Sequence, residues 1–463
     1  MTEILTWKDL HDAFVAAAPT DTEYIIKANI EVDPDNDRPW GYASIDGSAG
    51  RVKINGNGKR IGSRKKPMTE QLFDRLQYVD IDNLKVFTKL DGLYMASVAA
   101  VARAVEYSNF TNITVNGKMN ISVYTDQYGA GIAGHAWGCK FSNCTNNADI
   151  SNTGYRSSSG GIVGRAMDYC LFYSCKNTGN IEAPIAGGIA CEVESSQVIS
   201  CQNSGSISGY NAGGSIELAG IAARVRGTND ILDNINSGCI GSDGVLADIV
   251  GGIVANLTNL VADTQIVISN NINTCTVKGG RFAAGGIIGY KTYQASAIII
   301  VSENDDIGNV TGSEHSGGII GMFNNLSPNS QIVNNRVCAN KVEVTDAAGH
   351  VGGVIGNLAT VSPGLISQNY VNIKNLLGTN ETSTHWIVGN YPTGSHNFSD
   401  NYYDDTDSTT TPDPLNCATY PELCGDPIDP DAHTLPVGDS LSNCMRAVWD
   451  ETDCGTTGQS SAS

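Results

Sequence analysis

The sequence has few charged residues, and the smaller part of them is basic. Only 16% of its 463 residues are Asp, Glu, Lys or Arg, whereas an ordinary globular domain has roughly 25%. The 48 acidic and 28 basic side chains give a formal net charge of −20. Because such a chain repels phosphates and anionic membrane surfaces, we expect no nucleic-acid partner.

Long hydrophobic runs are also missing. No stretch reaches the roughly 18 apolar residues that a membrane-spanning helix needs, so we expect no membrane insertion. Residues 1–10, MTEILTWKDL, lack the basic and apolar regions of a secretory signal peptide. We therefore expect a chain that is made in the cytosol or whose signal has been removed.

Several catalytic motifs are absent. The sequence has no HExxH, GxSxG or Walker motif, which argues against zinc proteases, α/β-hydrolases and P-loop enzymes. The best catalytic candidates are Asp305, Asp306 and His315, because glycosidases need closely spaced carboxylates and one coil could bring the histidine beside them. A solvated acidic turn explains these residues more simply. We therefore expect no enzyme.

Glycine, in contrast, is abundant and recurs in one pattern. Many of the 52 glycines precede an Ile or Val at intervals of about 32 residues, which indicates a repeat array. Glycine at such a position permits a sharp corner or a close approach of backbone, and the Ile or Val then points inward. These scaffold positions are Gly161, Ile162, Gly188, Ile189, Gly252, Ile253, Gly286, Ile287, Gly318, Ile319, Gly353 and Val354.

A second recurring position follows each glycine pattern. Short β-branched runs bounded by Gly, Asn and Ser flank it, so each repeat is predicted to hold about three short strands. One repeat cannot bury its apolar side, but stacked repeats can. We therefore predict an all-β fold, a parallel and right-handed β-helix with a short N-terminal capping helix. The second position holds Cys144, Cys175, Cys201 and Asn234, and later copies keep Asn270, Asn304, Asn335 and Asn369 near it.

The repeat cysteines form two columns. Cys139 and Cys144 recur as Cys170 and Cys175, and Cys201 extends the second column. Stacked thiols that act as small apolar residues are one interpretation. Disulfides between adjacent coils are the other, because stacked Cα atoms about 4.8 Å apart lie within disulfide range.

The pattern GGIVG followed by C/N-x-N-x-G-x-I resembles the GLUG-type repeat of large bacterial and phage surface proteins, including adhesins. The resemblance covers residues 129–389 and implies a β-helical stalk or binding surface, without implying a reaction. The helical spacing of Trp7, Leu10 and Phe14, followed by short strands, is similar to the N-terminal cap of pectin-lyase-like β-helices.

Four regions are predicted along the chain. Residues 1–66 form the cap, residues 67–128 the early coils, residues 129–400 the repeat β-helix and residues 401–463 an irregular region. The last region is rich in proline and has almost no β alternation.

The irregular region contains Cys417, Cys424, Cys444 and Cys454. Two disulfides are expected there in an oxidising medium, and the pairing stays open. A zinc site is the alternative, but the spacings include no CxxC, so we expect no metal.

No cofactor is expected, and calcium is the weak exception. Two acidic turns cluster oxygen ligands, although the first lacks the Gly and Glu of an EF-hand and exposed turns explain both more simply. The carboxylates of these turns belong to Asp33, Asp35, Asp37, Asp404, Asp405 and Asp407.

Three functions remain, and we expect the first: a non-catalytic virion structural or attachment protein, such as a phage fibre, tailspike or capsid decoration. A bacterial cell-surface adhesin and a β-helical polysaccharide depolymerase are the alternatives. The expected location is a virion or an extracellular surface, and the expected partners are a host glycan or protein and other virion or surface proteins, with a homotrimer by analogy alone. Trp386, Tyr402 and Tyr403 are candidate sugar-stacking residues unless they are buried.

Overall fold

A computed structural model describes residues 1–16, 22–32, 43–94, 96–123, 127–211, 214–241, 246–258, 260, 264–292, 297–360, 364–378, 384–390, 397–404 and 426–427. The described chain is a parallel β-solenoid of about 11 turns, and it is 2% helical. The predicted all-β parallel β-helix with a short N-terminal helix is therefore confirmed, while its right-handed sense stays a prediction.

The chain divides into two compact units. Unit 1 comprises Met1–Gly238, Thr258–Leu260 and Gln265–Val267. Unit 2 comprises Cys239–Leu257, Val261–Thr264 and Ile268–Ser463. The four regions expected from the sequence stay a prediction.

Each complete coil has four faces. In one coil of unit 1, the chain passes from face 1 (Ser158–Gly160) to face 2 (Val163–Met167) and face 3 (Leu171–Tyr173). It then forms the two short strands of face 4, Lys176–Asn177 and Ile181–Glu182. The strand pairings between described residues of each unit are parallel, so every face becomes a sheet that runs through successive coils.

Unit 1 opens with the α-helix Trp7–His11, whose N-terminus is closed by a capping box from Thr6 and Asp9, and with the π-helical turn Asp12–Ala16. Its strands belong to the four faces. Face 1 comprises Val98–Ala99, Tyr128–Ala130, Ser158–Gly160, Ile185–Gly187 and Glu217–Ala219. Face 2 comprises Ser44–Asp46, Phe73–Gln77, Ala102–Glu106, Ala133–Trp137, Val163–Met167, Ala190–Glu194 and Ala222–Arg226. Face 3 comprises Thr2–Ile4, Glu23–Ile26, Val52–Asn55, Val79–Asp82, Asn109–Thr111, Lys140–Ser142, Leu171–Tyr173, Gln197–Ile199 and Asn229–Leu232. Face 4 comprises Arg60–Ile61, Lys85–Tyr94, Thr114–Val123, Thr145–Asn146, Asp149–Asn152, Lys176–Asn177, Ile181–Glu182, Gln202–Asn203, Ile207–Ser208 and Ile235–Asn236.

Unit 2 repeats the four faces. Face 1 comprises Ile249–Gly251, Ala283–Gly285, His315–Gly317, His350–Gly352 and Thr384–His385. Face 2 comprises Val254–Leu257, Ile288–Lys291, Ile320–Phe323, Ile355–Leu358 and Val388–Asn390. Face 3 comprises Ile298–Ser302, Gln331–Val333, Leu365–Ser367 and Asn397–Ser399, and the strand Gln265–Ser269 has residues in both units. Face 4 comprises Ile272–Asn273, Val277–Gly280, Asp305–Asp306, Val310–Gly312, Arg336–Val344, Tyr370–Leu377, Tyr402–Asp404 and Asp426–Pro427.

The repeated glycine before each Ile or Val makes room for a polar column inside the coil. A β-carbon added to Gly161 would lie 2.7 Å from the Cγ of Asn177 and 2.0 Å from a backbone oxygen of the next coil. Asn177 donates from Nδ2 to the Oδ1 of Asn203 at 2.8 Å and to the carbonyl of Gly179 at 2.8 Å. The glycine therefore lets a fully hydrogen-bonded amide ladder run through the interior of unit 1.

A second amide ladder lies in unit 2, at the corner between faces 3 and 4. Asn304 donates from Nδ2 to the carbonyl of Ile268 at 2.8 Å and to the Oδ1 of Asn335 at 3.0 Å. Asn335 and Asn369 continue the same pattern. In unit 2 the ladder contains Asn271 rather than the expected Asn270, whose backbone turns the corner with a φ of 55°.

Apolar side chains fill the rest of the interior. Ile162 is completely buried. Phe110, Phe141 and Phe172 form a stack inside face 3 of unit 1, with ring centroids 5.0 and 5.1 Å apart. Because the interior is occupied throughout the described coils, any ligand has to approach the exterior of the faces and corners.

Candidate functional site

The structure does not bring the three catalytic candidates together on one face. Asp305 lies on the outside of face 4, where the guanidinium of Arg336 in the next coil forms an ion pair with it. Asp306 points inward and is completely buried. His315 lies on face 1. The expectation of a solvated acidic turn is therefore wrong for Asp306, because adjacent positions of a strand point to opposite sides of the wall.

Asp306 occupies a place in the interior ladder of unit 2. Its Oδ1 accepts hydrogen bonds from Asn273 Nδ2 at 2.8 Å and from the backbone N–H of Gly308 at 3.3 Å. Burial raises the pKa of Asp306 well above its ordinary value, despite these two hydrogen bonds. A completely buried carboxyl group in this ladder is a structural element and has no access to a polysaccharide.

His315 belongs to a row of side chains at the corner between faces 1 and 2 of unit 2. Its ring stacks on that of His350 at 5.3 Å, and its Nε2 lies 3.2 Å from Asn357 Nδ2. The ring of Phe282 packs against it edge-on at 5.7 Å. Burial and the neighbouring His350 lower the pKa of His315 to about 4. The imidazole is therefore neutral at pH 7 and is a poor proton donor there.

The corresponding corner in unit 1 holds a cluster of charges. Glu217 on face 1 accepts two hydrogen bonds from Arg224 on face 2, at 2.7 and 2.8 Å. Glu192, whose side chain is 5% exposed, has carboxylate oxygens 3.4 to 3.5 Å from guanidinium nitrogens of Arg165, Arg224 and Arg226. Glu192 and Glu217 lie on either side of Arg224 and so resemble a catalytic carboxylate pair. Charge-assisted contacts with arginines, however, balance the negative charge of both. This cluster therefore joins faces 1 and 2.

The cysteine columns consist of thiols. Cys139, Cys144, Cys170, Cys175 and Cys201 are buried and free, as are Cys191 and Cys275. The thiols of one column lie one coil apart, and the backbone N–H of Cys175 contacts Cys201 Sγ at 3.4 Å. The interpretation as small apolar residues is therefore correct, and disulfides between these coils are not formed.

Cysteines elsewhere in the chain behave differently. Cys239 and Cys338 are disulfide-bonded, which was not predicted from the sequence. Cys417, Cys424, Cys444 and Cys454 lie outside the described residues, so the two disulfides expected for them stay a prediction. The same holds for the carboxylates of the acidic turns at residues 33–37 and 405–407.

The proposed sugar-stacking residues lie at the last described coils of unit 2. Trp386 is 1% exposed, and its ring stacks on that of Tyr403 at 5.2 Å. Its role as an exposed sugar platform is therefore wrong, and burial, the alternative, is what the structure has. Tyr402 and Tyr403 are half-buried within the strand Tyr402–Asp404.

A group of exposed tyrosines in unit 1 was not predicted from the sequence. Tyr107, Tyr169 and Tyr173 have 49%, 87% and 48% of their surfaces exposed. Tyr107 and Tyr169 lie at the corner between faces 2 and 3. The sequence signal for Tyr107 was that it lies at a corner where the next coil has Gly138. The early coils lack the repeated glycine pattern by which the later coils can be aligned, so this equivalence was not visible in the sequence.

Other site types are not evident in the described part of the chain. No three or more His, Cys, Asp or Glu side chains there are grouped so that they could hold a metal ion. None of the described helices is long and apolar enough to cross a membrane.

No protein-family model matches the sequence, and no curated protein matches it. One solved structure with a similar fold is that of an IgA1 protease, with a TM-score of 0.40 and 14% sequence identity. The similarity covers 61% of this chain and 23% of that chain, so it spans less than a quarter of the IgA1 protease. At this level of similarity the likeness supports no statement about function.

Proposed function

We propose that the chain is a non-catalytic attachment protein of a virion, such as a fibre, tailspike or capsid decoration, that holds its binding residues on the outside of a β-helix. The observation that carries the proposal is the exposure of tyrosine rings on a scaffold whose interior is already filled. Tyr169 is 87% exposed and Tyr107 is 49% exposed, so the exposed parts of both rings are available to a ligand on the host surface.

The burial and pairing of three acidic side chains support a non-catalytic protein. Asp306 is buried, Asp305 is ion-paired and Glu217 forms a two-point contact with Arg224. A polysaccharide hydrolase needs two carboxyl groups that reach the same glycosidic bond, about 5 to 9.5 Å apart. These three carboxyl groups instead contact other residues of the β-helix.

The test uses purified full-length chain and surface polysaccharide isolated from host cells. We expect co-sedimentation of the chain with the polysaccharide and no increase in reducing sugar ends during a long incubation. Time-dependent release of reducing ends would contradict the non-catalytic assignment and favour a depolymerase. If reducing ends are released, a chain carrying Glu217→Gln is tested in the same way. Loss of the release in this variant would locate the hydrolytic activity at the charged corner.

A further inference from the structure

Cys239 and Cys338 are both disulfide-bonded, and their positions in unit 2 show that they are too far apart to be bonded to each other. Parallel pairings lead in three coil steps from Ile240, beside Cys239, to Val342, in the strand of Cys338. The paired residues between them are Val277 and Val310. Three steps correspond to about 14 Å, whereas the Cα atoms of bonded cysteines lie less than about 7 Å apart. Each of the two cysteines therefore has another partner.

The remaining cysteines of the chain limit the choice of partners. The chain has 13 cysteines, and seven of those in the described coils are free thiols. The four that are left are Cys417, Cys424, Cys444 and Cys454, which lie outside the described residues. Partners for Cys239 and Cys338 within the chain are therefore found only among these four.

The burial of Cys338 indicates a cover on the outside of face 4. Val337 is completely buried and continues the inward column of Asp306, so Cys338 points outward. Cys338 is nevertheless only 3% exposed. Thr274 holds the equivalent outward place two coils earlier and is exposed. The small residues at this place in unit 1 are exposed as well, and they are Thr178, Ser204 and Ser237.

The last described strands bring the chain back to the same face. Asp404 pairs with Asn372, which pairs with Cys338, so two coil steps of about 10 Å in total separate Asp404 from Cys338. Thirteen residues lead from Asp404 to Cys417, and such a segment spans up to about 45 Å. The chain beyond Asp404 is therefore long enough to reach Cys338.

The chain end is also long enough to reach Cys239. Asp426–Pro427 pairs with the strand that contains Tyr402, which places it six coil steps, or about 29 Å, from the coil of Cys239. Seventeen residues lead from Pro427 to Cys444, and they span up to about 58 Å. Both cysteines of the β-helix are therefore within reach of the C-terminal cysteines.

The charges of face 4 and of the chain end are complementary. The two outward carboxylates of this face in unit 2, Asp305 and Glu343, are each paired with a basic side chain. Residues 405–463 contain eleven acidic residues and one basic residue. A face with more basic than acidic groups attracts such a segment. The basic residues of the face are Lys278, Arg336, Lys341 and Lys374.

We propose that residues 405–463, the C-terminal strap, dock on the outside of face 4 in unit 2 and are held there by disulfides from Cys239 and Cys338. The proposal goes beyond the proposed function and does not depend on it. A host ligand then binds to another face while the strap is closed. Because two of the four C-terminal cysteines bond to the β-helix, at most one of the two disulfides expected within the irregular region forms.

Closing the strap requires an oxidant. Each bond forms from two thiols, which lose two protons and two electrons. A low-molecular-weight disulfide such as oxidised glutathione accepts them and leaves as two thiols. Such oxidants predominate outside the reducing cytosol, so the strap closes there and opens when its disulfides are reduced.

The first experiment maps the disulfides of the full chain after equilibration with reduced and oxidised glutathione. Free thiols are alkylated in acidic denaturant, and the chain is digested with trypsin and chymotrypsin for mass spectrometry. We expect the peptides of Cys239 and Cys338 to be cross-linked to peptides from residues 405–463, and dithiothreitol to abolish both cross-links. A bond between Cys239 and Cys338, alkylation of both, or bonds between two copies of the chain would each overturn the proposal.

The second experiment tests docking by limited digestion with Glu-C protease, which cleaves after acidic residues. The double variant Cys239→Ser with Cys338→Ser should be cut within residues 405–463 about tenfold faster than the unmodified chain, because the tether no longer holds the segment at the face. Cys275→Ser is the matched control, because Cys275 is a free thiol between two strands of face 4. Equal cleavage rates in the double variant and the unmodified chain would show that the segment is not docked.

Discussion

Asn273 donates a hydrogen bond from Nδ2 to the Oδ1 of Asp306 at 2.8 Å in the interior of unit 2. In the equivalent ladder of unit 1, Asn177 both accepts and donates, and its Nδ2 also reaches the carbonyl two residues ahead. Asp306 has no such amide, and its Oδ2 has no hydrogen-bond partner among the described residues. A protonated Oδ2 is therefore the chemical counterpart of the missing amide donor.

We expect Asp306→Asn to stabilise the protein at pH 7. The raised pKa means that the folded chain keeps its proton while the unfolded carboxyl ionises near its ordinary value of 3.8. Stability is therefore lost as the pH rises above that value, by about 1.4 kcal/mol for each pH unit over which only the folded state stays protonated. Asparagine does not titrate, so the variant should not lose stability in this way. Urea unfolding at pH 4 and pH 7 measures the free energy of unfolding of both chains.

The matched control is Asp305→Asn, because Asp305 is the neighbouring carboxylate but is paired with Arg336 outside the coil. This variant should be neutral or slightly destabilising at both pH values. An Asp306→Asn chain that is less stable than the unmodified protein at pH 7 would contradict the neutral carboxyl.

Lys291 provides a second test of the interior. Its side chain is completely buried, and its Nζ donates to the carbonyls of Asn324 and Asn325 at 2.6 and 2.7 Å. Burial lowers the pKa of Lys291 from 10.5 to about 8. Since the unfolded chain keeps its proton up to the higher value, this group makes stability rise between about pH 8 and pH 10.5.

We expect Lys291→Met to lose this rise and to be destabilised at pH 7 by about 1 to 3 kcal/mol, because both carbonyls lose the lysine donor. Denaturant unfolding at pH 7, 8.5 and 10 gives both quantities. An equal slope against pH in the variant and the unmodified chain would show that Lys291 does not titrate in this range. Lys140→Met, an exposed lysine of face 3, controls for the general effect of charge.

The contact between Glu217 and Arg224 should stabilise the corner of unit 1. Glu217→Ile is expected to cost about 3 kcal/mol, because Arg224 loses its two-point partner in a largely buried place. The double variant Glu217→Ile with Arg224→Met should recover part of this loss, since the preceding coil already has Ile185 in the place of Glu217. A double-mutant cycle in urea measures the coupling, and strict additivity would show that the pair is not coupled.

The free cysteines should be unreactive until the protein unfolds. The thiols of Cys144, Cys175 and Cys201 are buried, and burial in apolar surroundings slows reaction with a thiol reagent. We expect slow labelling of the folded chain and rapid labelling in urea without added reductant. A cross-linked peptide containing Cys144 and Cys175 in the mass spectrum would instead show that adjacent coils are joined covalently.

The fold was predictable because its signals repeat. Gly161 and Ile162 recur at nearly constant intervals, and a period of this length with short β-branched runs predicts a stacked β-structure. The repeat period does not show whether an individual side chain points into or out of the coil. Asp305 and Asp306 looked equivalent in the sequence, but the ladder that contains Asn273 places one outside and the other inside.

The candidate site was less predictable than the fold. The placement of the exposed tyrosines Tyr107 and Tyr169 depends on backbone φ at a corner, and the coil with Asp168 and Tyr169 carries an extra left-handed residue that shifts the alignment. Trp386 was misjudged because a large ring in a late coil can close the interior as readily as it can face solvent. A sequence alone does not distinguish these two environments.

The most direct test of the central proposal is immunogold electron microscopy of the source culture, with antibodies raised against residues 130–389 and pre-immune serum as the control. The proposal predicts gold label on virus particles and little label on cell surfaces. Label confined to cell surfaces would contradict it and would favour a bacterial adhesin.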